Sequence, residues 1–131
     1  MKELKWDNTL SVQVEEIDAD HQRLVDLFNL LNRTLEEKAA PDYIEAVLAE
    51  LIACTDWHFK HEERLMLQYR YPDYQKHRQE HEELLASIRD LQAQRQGRLL
   101  SDDDIEFLEH WLTGHILGLD MDLGAWLNSV M

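Results

Sequence analysis

The sequence is poor in cysteine, proline and glycine. Its 131 residues include a single cysteine, Cys54, which excludes an internal disulfide. Two prolines and four glycines leave few positions that would interrupt a helix. No apolar stretch is long enough to span a bilayer, and residues 1–20 lack the apolar run of a secretory signal. We therefore expect residues 1–131 to form one domain. We also expect the protein to be cytoplasmic and not inserted in a membrane.

Positive charge is also scarce. Thirteen Lys and Arg residues stand against 27 Asp and Glu residues, which gives a formal net charge of −14. A surface this acidic repels nucleic acid and anionic membranes, so neither is expected as a partner. Repulsion between copies also favours a monomer. Apolar residues nevertheless recur in every long segment, so a folded chain is expected rather than a disordered one.

Apolar residues recur at helical spacing in four segments, which follow an N-terminal arm over residues 1–17. The predicted helices span residues 18–37, 41–69, 72–96 and 101–129. We expect Asp18 or Asp20 to cap the first helix and Gly97 to end the third. Ser101, followed by three aspartates, is a suitable start for the fourth. Short connections favour antiparallel neighbours, so the sequence predicts an all-α, up-down-up-down four-helix bundle.

Five of the seven histidines fall in phase with the apolar faces of these helices, where they point into the bundle. They are His21, His58, His77, His81 and His115. Glu62 lies four residues after His58, on the same face of the second helix. A lone core histidine is usually a packing residue with a satisfied hydrogen bond, and a single His/Glu pair is often a surface pair. Five core-facing histidines would each need a buried partner, and a metal centre satisfies them together.

Two histidines and one acidic position depart from this pattern. His61 and His110 lie off the apolar faces and are expected not to be ligands. On the fourth helix, Asp120 lies five residues after His115, about 140° around an ideal helix, whereas Asp122 is nearly in phase. A π-bulge would turn Asp120 towards His115, and the glycines nearby make such a distortion less costly. Spacing alone leaves both aspartates open.

These motifs resemble those of the hemerythrin family, in particular the single-domain bacterial forms, the bacteriohemerythrins. The matching residues are His58-Phe59, Glu62-Glu63, Leu65-Met66, Tyr71-Pro72, His77, His81, His115-Ile116 and Asp120, with Trp6, Ile17-Asp18, His21 and Leu24 near the N-terminus. The resemblance covers essentially the whole chain. One departure is Gln13, where many relatives carry glycine.

The resemblance implies an oxo- or hydroxo-bridged, non-haem di-iron centre that binds O2, and it selects Asp120 over Asp122. It implies one iron held by His77, His81 and His115 and a second held by His21 and His58. Glu62 and Asp120 would bridge the two irons. Of about twelve coordination positions on two octahedral irons, the histidines would fill five, the bridging carboxylates four and the oxo or hydroxo bridge two. One position stays open, on the iron with two histidines. The apolar residues implied around that position are Leu24, Phe59, Trp111 and Leu112, which could equally be ordinary core residues.

The function expected from this resemblance is reversible O2 binding for storage, transport or delivery, without enzymatic activity. Oxygen-activating di-iron bundles of the ferritin-like class use about four carboxylates and two histidines, whereas this set is richer in neutral imidazole. The alternatives are an oxygen or redox sensor, and a di-iron enzyme that reacts with peroxide or nitric oxide. A structural zinc site is a further alternative, but it would need only four ligands, fewer than the seven implied here. An oxygen-consuming protein is the expected recipient of the O2.

Overall fold

The computed structural model describes residues 3–95 and 100–131, and over these residues the chain is an antiparallel up-down-up-down four-helix bundle with an N-terminal arm. The predicted fold class is thereby confirmed. The helices are α1 (Glu15–Glu36), α2 (Pro41–Gln68), α3 (Tyr74–Gln94), α4 (Asp102–His115) and α5 (Met121–Val130). A π-helical turn, Ile116–Asp120, joins α4 to α5, so that these three segments form the fourth helix of the bundle.

The start of α1 differs from the expectation. The helix begins three residues before the predicted residue 18, and its N-cap residue is Val14, which provides no side-chain cap. Asp18 instead accepts a hydrogen bond from the backbone N–H of Val12 at 2.8 Å and so holds the arm against the helix. Asp20 bonds to two histidines of α2. The prediction that one of these aspartates caps α1 was wrong, because both side chains have partners outside the helix end.

The other helix ends lie close to the predicted ones. α3 spans two residues fewer at each end than the predicted 72–96, and the expected stop at Gly97 falls outside the described residues. At the start of α4, Ser101 Oγ accepts from the backbone N–H of Asp104 at 3.2 Å, and Asp104 accepts from the backbone N–H of Ser101 at 2.8 Å. This reciprocal capping box fixes where the fourth helix begins.

The buried apolar residues form two clusters, which are separated along the helices by buried polar side chains. The smaller cluster includes Ile17 of α1, Met66 of α2 and Leu123 of α5. The larger cluster fills the rest of the bundle around residues such as Phe28 and Leu108. Buried histidines and carboxylates lie between the two clusters, so apolar side chains surround them on both sides. None of the described helices combines the length and apolar character that a membrane span requires.

The N-terminal arm packs closely against the fourth helix. A Cβ atom at Gly124 would lie 2.7 Å from the Cβ of Val12, so no larger residue fits there without movement. Next to Val12, Gln13 has φ 61°, in the left-handed region that favours glycine. Many members of the family that the sequence resembles carry glycine at this position, and the left-handed backbone conformation explains that preference. Glutamine there carries a strain of about 1–2 kcal/mol.

Candidate metal centre

All seven side chains that the sequence singles out as ligands meet in one buried cluster. Each is between 0% and 5% exposed, and together they come from every helix of the bundle. They are His21 from α1, His58 and Glu62 from α2, His77 and His81 from α3, and His115 and Asp120 from the fourth helix. The two histidines excluded from the ligand set lie elsewhere: His110 is exposed, and His61 lies on the outer side of the cluster.

The π-helical turn decides between the two aspartates of the fourth helix. The turn widens the helix between His115 and Asp120 and directs both side chains to the same side. Asp120 is fully buried, and its Oδ1 atom lies 2.9 Å from the Nε2 atom of His115. Asp122 is exposed. Gly114, just before the π-helical turn, and Gly118, within it, have open space where a side chain would stand.

Glu62 lies at the centre of the cluster and faces a different set of histidines with each oxygen. Its Oε1 atom is 2.9–3.8 Å from three Nε2 atoms, those of His77, His81 and His115. Its Oε2 atom is 3.0 and 3.4 Å from two Nε2 atoms, those of His58 and His21. One carboxylate thus spans a group of three imidazoles and a group of two.

Asp120 repeats this division from the opposite helix. Its Oδ1 atom lies 3.0 Å from Nε2 of His77 and 2.9 Å from Nε2 of His115. Its Oδ2 atom lies 2.8 Å from Nε2 of His21. Both carboxylates therefore present one oxygen to the three-histidine group and one to the two-histidine group, which is the arrangement of bridging ligands between two ions.

The fit of a metal pair can be tested on the polar atoms at the centre of the cluster. Six of these buried atoms have no hydrogen-bond partner: Nε2 of His21, His58 and His115, Oε2 of Glu62, and both carboxylate oxygens of Asp120. Such an atom costs about 1–3 kcal/mol when nothing binds it. Some lie only about 3 Å apart, yet they are not aligned with each other for hydrogen bonding.

The donor atoms fall into two sets, each compact enough to surround one ion. One set comprises Glu62, His77, His81, His115 and Asp120, and the other comprises His21, His58, Glu62 and Asp120. Within each set the candidate ligand atoms lie within 4.8 Å of one another. Imidazole nitrogens and carboxylate oxygens suit first-row transition metals, including iron. The cluster is therefore suited to hold two metal ions that share two carboxylates.

Without metal, protons provide the charge that balances these carboxylates. Burial alone would lower the pKa of His58, but Glu62, Asp20 and Asp120 outweigh burial and raise it to about 10. In His77 the same competition between burial and the two central carboxylates raises the pKa to about 9. Burial would raise the pKa of Glu62, yet the surrounding histidines hold it well below its usual range. Cations that enter the cluster must therefore displace protons from the imidazoles.

Three of the five clustered histidines have a carboxylate behind the ring. The Nδ1–H groups of these three face Asp20 behind His58 at 2.9 Å, Glu63 behind His81 at 2.9 Å and Glu80 behind His115 at 3.1 Å. A hydrogen bond at Nδ1 directs the lone pair of Nε2 into the cluster and strengthens it as a ligand. Sequence reasoning did not assign these acceptors. One available signal is that each of them is adjacent in sequence to a candidate ligand.

A small apolar void lies beside the two-histidine group. It measures about 10 Å³ and touches His21 and His58 on one side and His115 on another. All four predicted pocket residues line it: Leu24, Phe59, Trp111 and Leu112. The structure adds two residues that sequence reasoning missed, Leu84 and Ile116.

The rings around the void are held in place. Phe59 stacks on the imidazole of His81, with ring centroids 3.9 Å apart and an interplanar angle of 5°. The indole N–H of Trp111 donates to the backbone carbonyl of Leu84 at 3.0 Å, so its only polar group is satisfied. The void therefore has a fixed shape and presents apolar surface wherever it is not lined by the clustered histidines.

Comparison with known proteins agrees with this geometry. Residues 12–127 match the family model described as the hemerythrin HHE cation binding domain. The chain is 32% identical to a myohemerythrin of Riftia pachyptila over 115 residues, covering 88% of this chain and 86% of the relative. It is 31% identical to a bacteriohemerythrin of Stenotrophomonas maltophilia over 120 residues, covering 89% and 76% of the two chains.

A solved structure described as a leucine-to-phenylalanine mutant superposes with a TM-score of 0.85 at 28% identity, covering 95% of this chain and 97% of that one. The sequence match and the structural match thus extend over nearly the same length as the bundle that builds the cluster. The resemblance seen in the sequence motifs is confirmed, and the chain belongs to the hemerythrin family.

Proposed function

We propose that this chain binds O2 reversibly at a di-iron centre held by its seven clustered side chains. The hemerythrin family is known for O2 binding at such a centre. When bound, the iron pair would supply an open coordination position and the electrons that O2 takes up. The ligands we propose are His21, His58, Glu62, His77, His81, His115 and Asp120.

The observation that carries the proposal is the unequal division of the imidazoles by Glu62. Three Nε2 atoms face one of its oxygens and two face the other. Asp120 divides the histidines in the same sense. Two ions bridged by these carboxylates would have different numbers of protein ligands, which favours an open position beside His21 and His58.

The position of the apolar void supports an O2 site on this same side of the cluster, beside the two-histidine group. The void touches both histidines of the two-histidine group but only His115 of the other three, and its volume of about 10 Å³ is close to the least that holds one water molecule. Residues such as Leu24 and Leu112 offer water no hydrogen bond there. Their role in this proposal is to exclude water and free protons, which would promote loss of reduced oxygen species.

The chemistry of the lining favours a carrier over an enzyme. Apart from the histidines of the cluster, the described residues that line the void are all apolar. They include no separate carboxylate, hydroxyl or amine that could deliver protons to bound oxygen. We infer a protein that takes up and releases O2 unchanged, for storage, transport or delivery, as a monomer that supplies an oxygen-consuming protein.

The test is anaerobic iron loading followed by optical titration with O2 and its removal. We expect two irons per chain and an oxygenated spectrum that disappears under vacuum and returns with air. His77→Ala should load fewer than two irons per chain, whereas the exposed control His110→Ala should load fully. A single iron per chain would contradict the proposal. Turnover of peroxide or nitric oxide faster than O2 release would favour an enzyme.

A further inference from the structure

We propose that Glu16, Asp20 and His61 form an uptake site for divalent transition-metal cations, through which ions reach the buried cluster. These three side chains, the uptake site, lie on α1 and α2, outside the buried cluster. The inference rests on metal binding by the seven-residue cluster. It does not depend on what that cluster later binds.

The need for such a site follows from the burial of the cluster. All seven of its side chains are at most 5% exposed, so a hydrated cation has no direct access to them. A cation exchanges its water molecules most readily where protein ligands replace them one at a time. A continuous series of ligating groups from solvent to the cluster would provide that exchange.

Such a series runs from the surface to His58. Glu16 Oε1 lies 2.9 Å from Nε2 of His61, and Nδ1 of the same ring is bonded to Oδ2 of Asp20. That Asp20 oxygen lies 2.9 Å from Nδ1 of His58, whose Nε2 faces Glu62 at 3.0 Å. Side-chain exposure falls along the series, from 47% at Glu16 to 15% at His61, 14% at Asp20 and 1% at His58. Every link is thus a metal-ligating group, and each lies deeper than the last or level with it.

The donor set of this series suits the same class of ion as the buried cluster. Ligand atoms of Asp20, His58 and His61 lie within 4.8 Å of one another. Imidazole and carboxylate together suit divalent iron, cobalt and zinc. The formal net charge of −14 raises the local concentration of cations around the chain.

The hydrogen bonding of the uptake site differs from that of the buried cluster in a way that suits transient binding. Both ring nitrogens of His61 and the inner oxygen of Asp20 have hydrogen-bond partners within the site. The site therefore leaves no unsatisfied buried atom behind when an ion moves on. At the cluster, by contrast, several ligand atoms have no such partner, which favours retention of the ion.

The corresponding positions behind two other histidines are less complete. Glu63 lies behind His81 and Glu80 behind His115, each as the single carboxylate bonded to Nδ1 of that ring. Among the described residues, only the carboxylate behind His58, that of Asp20, has a second imidazole beside it, that of His61. That difference selects the Asp20 side as the route of uptake.

The experiment measures metal uptake by the apo-protein without O2, so it is independent of the proposed oxygen binding. Uptake rates are measured after anaerobic mixing of apo-protein with less than stoichiometric Co²⁺, whose ligand-field absorption is followed over time. The final metal content is measured separately, after incubation with excess Co²⁺ and removal of the unbound ion. The variants are His61→Gln, which keeps a donor for Asp20, and Glu16→Gln at an exposed position. His110→Gln is the matched control, because His110 is exposed and outside both sites. Asp20 is left unchanged, since it also orients His58.

We expect His61→Gln to take up Co²⁺ several-fold more slowly than the wild type, because it lacks the imidazole that links Glu16 to Asp20. Glu16→Gln should be slowed in the same direction, and His110→Gln should match the wild type. All four proteins should finally hold two ions per chain. Equal uptake rates in the wild type, His61→Gln and Glu16→Gln would overturn the proposal. A final count below two in His61→Gln would also overturn it, because His61 would then support the buried cluster itself.

Discussion

The Nε2 atom of His115 lies 2.9 Å from Oδ1 of Asp120, five residues further along the same helix. In a regular α-helix, five residues turn through about 140° beyond a full rotation, and the two side chains would point apart. The π-helical turn Ile116–Asp120 removes that difference. A local break in helix geometry thus completes the cluster.

The position of Asp120 predicts opposite results for two neighbouring aspartates. Asp120→Ala should lower the metal content from two ions per chain to one or fewer, because both its oxygens face imidazoles of the cluster. Asp122→Ala is the control and should load normally, since Asp122 is exposed. Metal analysis after anaerobic reconstitution measures both. Full loading of Asp120→Ala would show that Asp120 is not needed as a ligand.

The raised pKa values of the clustered histidines predict how the stability of the apo-protein depends on pH. The pKa of His58 is about 10 and that of His77 about 9, against an ordinary value of 6.5. A raised pKa contributes stability that is complete below pH 6.5 and is lost as the pH rises towards 9 and 10. The lowered pKa of Glu62 contributes stability above its ordinary value of 4.5, which is lost as the pH falls.

Urea denaturation of the apo-protein at a series of pH values tests this dependence. The midpoint should be highest between pH 4.5 and 6.5 and should fall at higher pH. The metal-loaded protein is the comparison, and its midpoint should not fall over the alkaline range, because its ligand imidazoles already lack the proton. An apo-protein midpoint that rises from pH 6.5 towards 9 would contradict the interpretation.

Leu112 lines the void beside the two-histidine group and should protect the reduced centre. Leu112→Ala would let water enter, so oxidation of the oxygenated protein should be several-fold faster. The control is Leu108→Ala, one turn earlier and equally buried but not part of the lining. Both variants should lose about 2–5 kcal/mol of unfolding free energy. Equal oxidation rates in the two variants, followed optically in air, would remove the void from the explanation.

Gly124 should be intolerant of even one extra carbon. The Cβ of Gly124→Ala would lie 2.7 Å from the Cβ of Val12, so the arm must shift, at a cost of about 1–3 kcal/mol. Gly114→Ala has open space and should be neutral or stabilise the helix by up to about 1 kcal/mol. Thermal denaturation compares the two. If Gly124→Ala matched Gly114→Ala, the arm would not be packed as described.

Much of the fold and of the candidate site follows from helical periodicity. His58 and Glu62 lie on the apolar face of α2, and the structure buries both. The helix ends were harder to predict, because Asp18 is of a residue type that often caps helices but instead accepts a hydrogen bond from the arm. Ideal helical periodicity, with 100° per residue, could not decide between Asp120 and Asp122, because the π-helical turn breaks that periodicity. Only the family resemblance selected Asp120.

The contacts that sequence reasoning missed are those made across the bundle. Asp20 lies one residue from a candidate ligand, but its partners His58 and His61 are 38 and 41 residues away. No local pattern specifies such a pairing, because it depends on how α1 and α2 are rotated about their axes. The same holds for Leu84, which joins the wall of the void from α3.

The buried cluster joins side chains as far apart in sequence as His21 and Asp120. Ions bound there would act as removable cross-links among every helix of the bundle. Free cation would then favour the native state by mass action, and chains left empty would open more often to proteases. Under metal starvation, turnover would remove the inactive molecules first, so the amount of this protein would track the supply of its own cofactor.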